Sequence, residues 1–274
     1  MNIRAIREKA RQVKKETPGF VLLYLIPILT AILSNSYNVY ERISLAYGNS
    51  TPGNPIEDFN YYSLGFNIFS GTIFVFVMQL LLQLVTTSAN FTNLDVLHGE
   101  REAVNFKDSL RAFDGQIFGK VLATIFLKQF FLFLWSLLAT VATIVFVIYS
   151  ILGIIFSGYT GGIDEGVITI IVISFLLMII GTIIAVPQYY AYTQVDYILY
   201  NHLKNDTYPS AFSIIRESRR IMKGYKFKRF ILDLSFIGWY ILVNISFGLV
   251  GIYVIPYKAI ADAIFYEKLL TLIE

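Results

Sequence analysis

No cysteine occurs in the 274 residues. That absence excludes disulfides, thiolate metal sites and a cysteine nucleophile. Histidine is almost as scarce. His98 and His202 are the only two, which argues against an imidazole-based metal site. Charge is thin as well. Only 15% of the residues are charged, where a soluble domain carries about a quarter. The formal net charge of +3 is too small to point to nucleic acid, and its placement says more than its sum. There is no H-E-x-x-H, G-x-S-x-G or Walker A lysine motif, so the reading assigns no catalytic residue, no cofactor and no metal site.

What the chain has instead is apolar length. Hydrophobic residues make up 56% of it and mean hydropathy is +0.62. About 18 or more apolar residues in a row can cross a hydrocarbon core of roughly 30 Å. Six such runs are expected to span: residues 20–36, 66–86, 129–156, 167–190, 230–247 and 250–266. A single helix through the last two would be about 57 Å long, too long for one crossing. The break is placed at Gly248 and Gly251, where glycine permits a turn. A re-entrant last segment is the rival reading. The fold expectation is thus all-α: one integral membrane domain over residues 1–274, a polytopic transmembrane bundle preceded by a basic interfacial tail at 1–19.

The cations fall in alternate loops. The tail carries Arg4, Arg7, Lys9, Arg11, Lys14 and Lys15, and the loop after the second run Arg101, Lys107 and Arg111. The loop after the fourth run carries Lys204, Arg216, Arg219, Arg220, Lys223, Lys226, Lys228 and Arg229. The loop after the first run has Arg42 beside Glu41, Glu57 and Asp58, and the loop after the third has Asp164 and Glu165 with no cation. The positive-inside rule reads this as both termini in the cytoplasm with an even number of spans. With no organelle address, a multi-pass place in the bacterial plasma membrane is the expected location.

Three cytoplasmic stretches have amphipathic spacing. They are Ile3, Ile6, Ala10 and Val13; Phe106, Leu110, Phe113 and Ile117; and Phe212, Ile214, Ile215, Ile221 and Met222. The last has Ser210 as its N-cap and Gly224 beyond its C-terminus. Such helices lie at the headgroup level, where anionic lipid headgroups attract each Lys or Arg by about 1 kcal/mol.

Charges inside apolar runs are costly and mark candidate sites. Asp196 and Asp233 read as interfacial partners of nearby cations, and Lys128 as a residue reaching back to the interface. Lys258 and Asp262 are spaced i,i+4 and can pair. They either face a cavity or neutralise each other so that a short helix can insert. Asp196, Asp233, Lys258 and Asp262 form the tentative intramembrane polar site. Gln79, Gln83, Gln188 and Asn244 are placed to bond between helices. Pro27, Pro187 and Pro256 interrupt backbone bonding within runs.

The stretch S-I-I-R-E-S-R-R-I-M-K-G-Y-K at 213–226 is followed by L-D-L-S-F-I-G-W-Y at 232–240 and G-L-V-G-I-Y-V-I-P-Y at 248–257. A-x-F-Y-E follows at 263–267, and A-I-R-E-K-A-R stands at 5–11. These resemble an uncharacterised family of Gram-positive integral membrane proteins, domain of unknown function number 975. The resemblance implies a bacterial plasma-membrane location and carries no activity or site. The leading functional expectation is a non-enzymatic membrane protein acting through a protein, lipid or envelope-active peptide partner, with self-protection as one form. The alternative is a small transporter or channel component with its site near Lys258 and Asp262.

Overall fold

A computed structural model describes residues 2–47, 61–160, 162 and 164–273, with the side chains of all these except 38, 39, 41–47, 61–73 and 160. The acid pair Glu57 and Asp58, in the expected outer loop, lies outside the described residues, as do the side chains of Glu41 and Arg42.

Every regular element among the described residues is helical. The chain runs α1 (Ile3–Glu16), α2 (Phe20–Leu23), α3 (Leu25–Tyr47), α4 (Tyr61–Leu97), a 3₁₀ helix (Phe106–Phe113), α5 (Phe118–Thr160) and α6 (Glu165–Ala191). It continues through α7 (Val195–Lys204), α8 (Ala211–Ile221), α9 (Lys226–Leu234), α10 (Ile237–Ile245) and α11 (Gly251–Leu270). Three stretches are long and apolar enough to cross a membrane, namely Phe74–Leu97, Phe118–Tyr159 and Glu165–Lys204. Leu25–Tyr37 is a shorter apolar helix. Where single runs were expected at 20–36 and 230–247, the helices are interrupted, at Tyr24 and at Ser235–Phe236. The expected break between the last two runs is present: Gly248 has φ +89° and packs so closely that a Cβ there would come 2.8 Å from Ile32 Cα.

The bundle has two parts. At its base, α1, the 3₁₀ helix, α7, α8 and α11 gather around one apolar core that includes Ile6, Leu94, Val121, Ile198, Ile214 and Phe265. From this base α5 and α6 rise together as an antiparallel hairpin. The two helices pack tightly at Gly181, where a Cβ would sit 2.5 Å from Ala139 N. Asp164 caps α6 through Gly166 N at 2.8 Å and Val167 N at 3.3 Å. Away from that seam Val141, Ile144, Ile148, Ile151 and Ile154 are all exposed.

Two of the amphipathic stretches turn their apolar faces onto the chain itself. Ile6 and Ala10 of α1 are fully buried, with Arg7 Nε donating to Tyr257 Oη of α11 at 3.1 Å. Ile214, Ile215 and Ile221 of α8 are buried too, and Ser210 caps that helix through Ser213 N at 3.2 Å. The middle stretch differs from expectation. Its Phe106, Leu110 and Phe113 face outward, while Asp108, Ser109 and Ala112 are buried. The polar face wins because its partners are fixed. Asp108 takes Arg101 Nη1 at 2.7 Å and Asn105 N at 2.9 Å, and Ala112 N donates to Ser88 Oγ of α4 at 2.8 Å.

Candidate functional site

The cation-x-x-x-aspartate spacing occurs on two helices, and packing sets the two copies face to face. On α9, Arg229 Nη1 reaches Asp233 Oδ1 at 2.6 Å; on α11, Lys258 Nζ reaches Asp262 Oδ1 at 2.5 Å. The helices then exchange partners. Arg229 Nη2 meets Asp262 Oδ2 at 2.9 Å, and Lys258 Nζ meets Asp233 Oδ1 at 2.7 Å. The result is a closed ring of alternating charge in which each cation holds both acids. The Arg229 fork suits this, because its nitrogens point at two carboxylates at once. Arg229 is 5% exposed and its Nε is buried with no hydrogen-bond partner among the described residues.

A second charged pair stands across from the ring. Lys128 Nζ of α5 lies 2.9 Å from Asp196 Oδ1 of α7. Asp196 Oδ2 accepts from Gln83 Nε2 at 3.3 Å and Asn90 Nδ2 at 3.2 Å, both on α4. Lys128 therefore points inward to a carboxylate instead of reaching back to an interface. The reason is that a buried acid with four lone-pair sites offers it more than the surface does.

The ring and the pair line one cavity of about 620 Å³. Lys128, Asp196, Arg229, Lys258 and Asp262 all contribute to its wall, with Tyr24, Gln79, Gln83 and Asn90. Asp233 stands behind the wall, bonded to Arg229 and Lys258. Four of these side chains, Asp196, Asp233, Lys258 and Asp262, are the intramembrane polar residues expected from sequence, and the structure brings them to the same place. The alternative between a cavity-facing and a self-neutralising pair at Lys258 and Asp262 dissolves, since the two residues do both. Of the amides placed for interhelical bonding, Gln83 makes such a bond, whereas Asn244 Nδ2 donates to Tyr240 O of its own helix at 2.9 Å. Gln188 Oε1 is buried with no partner among the described residues.

Sequence reasoning placed Arg229 among loop cations and so missed it. Its signal was legible, for Arg229 and Asp233 have the same spacing as Lys258 and Asp262. A second cluster gave no signal at all. Asp95, near the end of α4, accepts from Arg101 Nε at 3.0 Å, and also from Arg111 and the Tyr200 hydroxyl. Lys204 reaches Tyr200 Oη at 3.1 Å and pairs with Glu100 beside it.

The cavity is walled by helices interrupted close to it. The α2–α3 break at Tyr24 and the α6–α7 break at 192–194 both contribute lining residues. Chemically, the site offers fixed cations, fixed carboxylates and amide dipoles around a partly open space. These can hold a ligand by charge-assisted hydrogen bonds. Among the described residues no group of three or more His, Cys, Asp or Glu is placed to hold a metal ion.

Among the described residues the fold is all-helical, and three helices long and apolar enough to cross a membrane suggest a protein of membrane type. The chain belongs to the family described as Protein of unknown function (DUF975), whose model matches residues 1–272. No curated protein and no solved structure matches it.

Proposed function

We propose that this is a non-enzymatic multi-pass protein of the bacterial plasma membrane that acts by holding a polar ligand or partner group in its charged cavity. The proposed topology has six crossings with both termini cytoplasmic, adding α3, the α9–α10 pair and α11 to the three long apolar helices. Its support is the alternation of basic loops and the turn at Gly248. The observation that carries the functional reading is the convergence of Lys128, Asp196, Arg229, Lys258 and Asp262 on one wall. Ionised side chains in such a place are expensive and pair off or serve a ligand. Here they pair and still enclose open volume.

The test removes one cation and one acid together. The double variant Lys258→Met/Asp262→Leu leaves Arg229 and Asp233 as a neutral pair. It is expected to insert and unfold as the parent does, yet to lose the thermal stabilisation that head-group zwitterions, lipids or envelope-active peptides confer on the parent in detergent. A parent protein stabilised by none of these ligand classes sinks the reading, as does catalytic turnover of any one of them.

A transporter component is the second reading, favoured by the helix breaks at Tyr24 and at 192–194 beside the cavity. Discontinuous helices build substrate sites in many transporters. Flux in proteoliposomes that vanishes in the double variant would select it over static binding.

A further inference from the structure

The charged cavity continues into an apolar groove. A second space of about 540 Å³ lies between α4, α5 and α6, and Gln79, Gln129, Leu132 and Tyr189 line both. The junction falls beside the Lys128–Asp196 pair, because Gln129 follows Lys128 and Gln79 is one turn from Gln83. On its far side the groove is walled by Phe76, Phe126, Phe130 and Phe133. These four rings are all exposed, so the groove opens sideways between the three helices of spanning length.

We propose that cavity and groove form one site for an amphiphile, a lipid with a zwitterionic head: the head sits among the charged side chains and one apolar chain lies in the groove. This rests on the proposed function and names the ligand class of the same cavity. The head is specified by charge. Lys128, Arg229 and Lys258 balance Asp196, Asp233 and Asp262, so a head of single sign meets as much repulsion as attraction. A head carrying both signs meets partners for each. Arg229 and Lys258, both on the wall, offer N–H donors to an anionic oxygen such as a phosphate. Asp196 and Asp262 keep acceptor capacity for an ammonium. Gln79 and Gln129, at the junction, make no hydrogen bond among the described residues and can meet the ester or glycerol oxygens where head joins tail. The tail is specified by the groove, whose aromatic wall offers an acyl chain apolar contact and offers a free head nothing.

The experiment uses the full chain in detergent, with binding read by native mass spectrometry and by Trp135 fluorescence. Trp135 is a suitable reporter because its Nε1 donates to Tyr192 Oη, at the cavity wall, at 3.0 Å. Four probes are compared: short-chain phosphatidylethanolamine, free phosphoethanolamine, and phosphatidylglycerol and diacylglycerol of the same chain length. Phosphatidylethanolamine is expected to bind at least about tenfold tighter than each of the others. Filling the groove with Ser136→Trp should cut lipid binding by about tenfold and leave phosphoethanolamine unchanged. Arg229→Lys, which keeps the charge and removes the guanidinium fork, should weaken both. Free phosphoethanolamine binding as tightly as the lipid would overturn the inference and leave the proposed function standing. Equal or tighter binding of phosphatidylglycerol would overturn the zwitterionic head. Binding of none of the four would overturn the inference and leave the proposed function to an envelope-active peptide or protein partner.

Discussion

Helix α5 passes through two different proteins, in effect. Near its start it is packed, with Val121, Thr124 and Ile125 fully buried among α4, α8 and the 3₁₀ helix. Farther along, the same helix shows Val141, Ile144, Ile148 and Ile154 to the outside. At 43 residues it is about 65 Å long, roughly twice a hydrocarbon core. The charged pairs lie in the packed region: Lys128 is only about 15 Å along the helix from Phe118. The outer hairpin is held by the α5–α6 seam, with a close approach at Gly181 and Ala139. The difference teaches where cooperativity resides. At the base the buried charges Asp196, Asp233, Lys258 and Asp262 each have a named partner on another helix. In the outer hairpin the side chains that face away from the seam are exposed apolar groups, which suits an apolar surround.

The sharpest way to break this comparison is to remove a shared partner at the base. Arg229→Met leaves Asp233 and Asp262 short of a cation and should cost about 3–5 kcal/mol, the usual loss when a buried ion pair is broken. Unfolding of the purified protein in detergent reads it. A loss no larger than that of a surface variant would mean that the ring does not hold α9 to α11. Next in size is Gly181→Val. Its branched side chain meets the Ala139 backbone and should cost about 1–3 kcal/mol through overpacking. Cysteine pairs placed across the hairpin of this cysteine-free chain should then cross-link more slowly at the seam, with the base unaffected. Ser210→Ala removes the α8 cap and should cost about 1 kcal/mol, seen as faster amide exchange confined to α8. Ile154→Ala, far out on the bare hairpin, should change unfolding by no more than about 0.5 kcal/mol. A large effect there would show that a partner covers this surface.

The smallest effect concerns the docking of α1. Lys14 Nζ stands 3.5 Å over the Tyr253 ring, and burial holds the amine below the usual lysine range. Between that lowered value and 10.5 the detached tail binds more protons than the docked one. Docking therefore strengthens as pH rises through this window and gains nothing below it. Amide-exchange protection of α1 that rises toward pH 10.5 in the parent, and stays flat in Lys14→Met, would bear this out.

Accessible cysteines test the proposed topology. Ser218 lies in a basic loop but is fully buried, its Oγ donating to Ala191 O at 2.8 Å, so a cysteine there reports packing and not sidedness. Tyr159 and Lys223 are exposed and serve better. Tyr159→Cys should label from outside the cell and Lys223→Cys only after permeabilisation. Labelling of Lys223→Cys in intact cells would break the six-span reading.

Much of this was legible in the residues. Apolar run length and the scarcity of charge gave the helical class. Gly248 marked its turn, because a backbone at positive φ beside Ile32 has room for no side chain. Ser210 marked a helix start, because its oxygen meets a backbone N–H three residues on. The pairs Arg229–Asp233 and Lys258–Asp262 were implicit, since the helical period alone brings i and i+4 together. All of these are local consequences of one chain's geometry. Tertiary structure alone decided that the two pairs close into a ring, that Lys128 turns in to Asp196 and away from an interface, and that the 3₁₀ helix buries its polar side. It also decided that a charged cavity and an apolar groove share lining residues at Gln79, Gln129, Leu132 and Tyr189. Each of these depends on which distant helix lies opposite, and no period in the sequence encodes that distance.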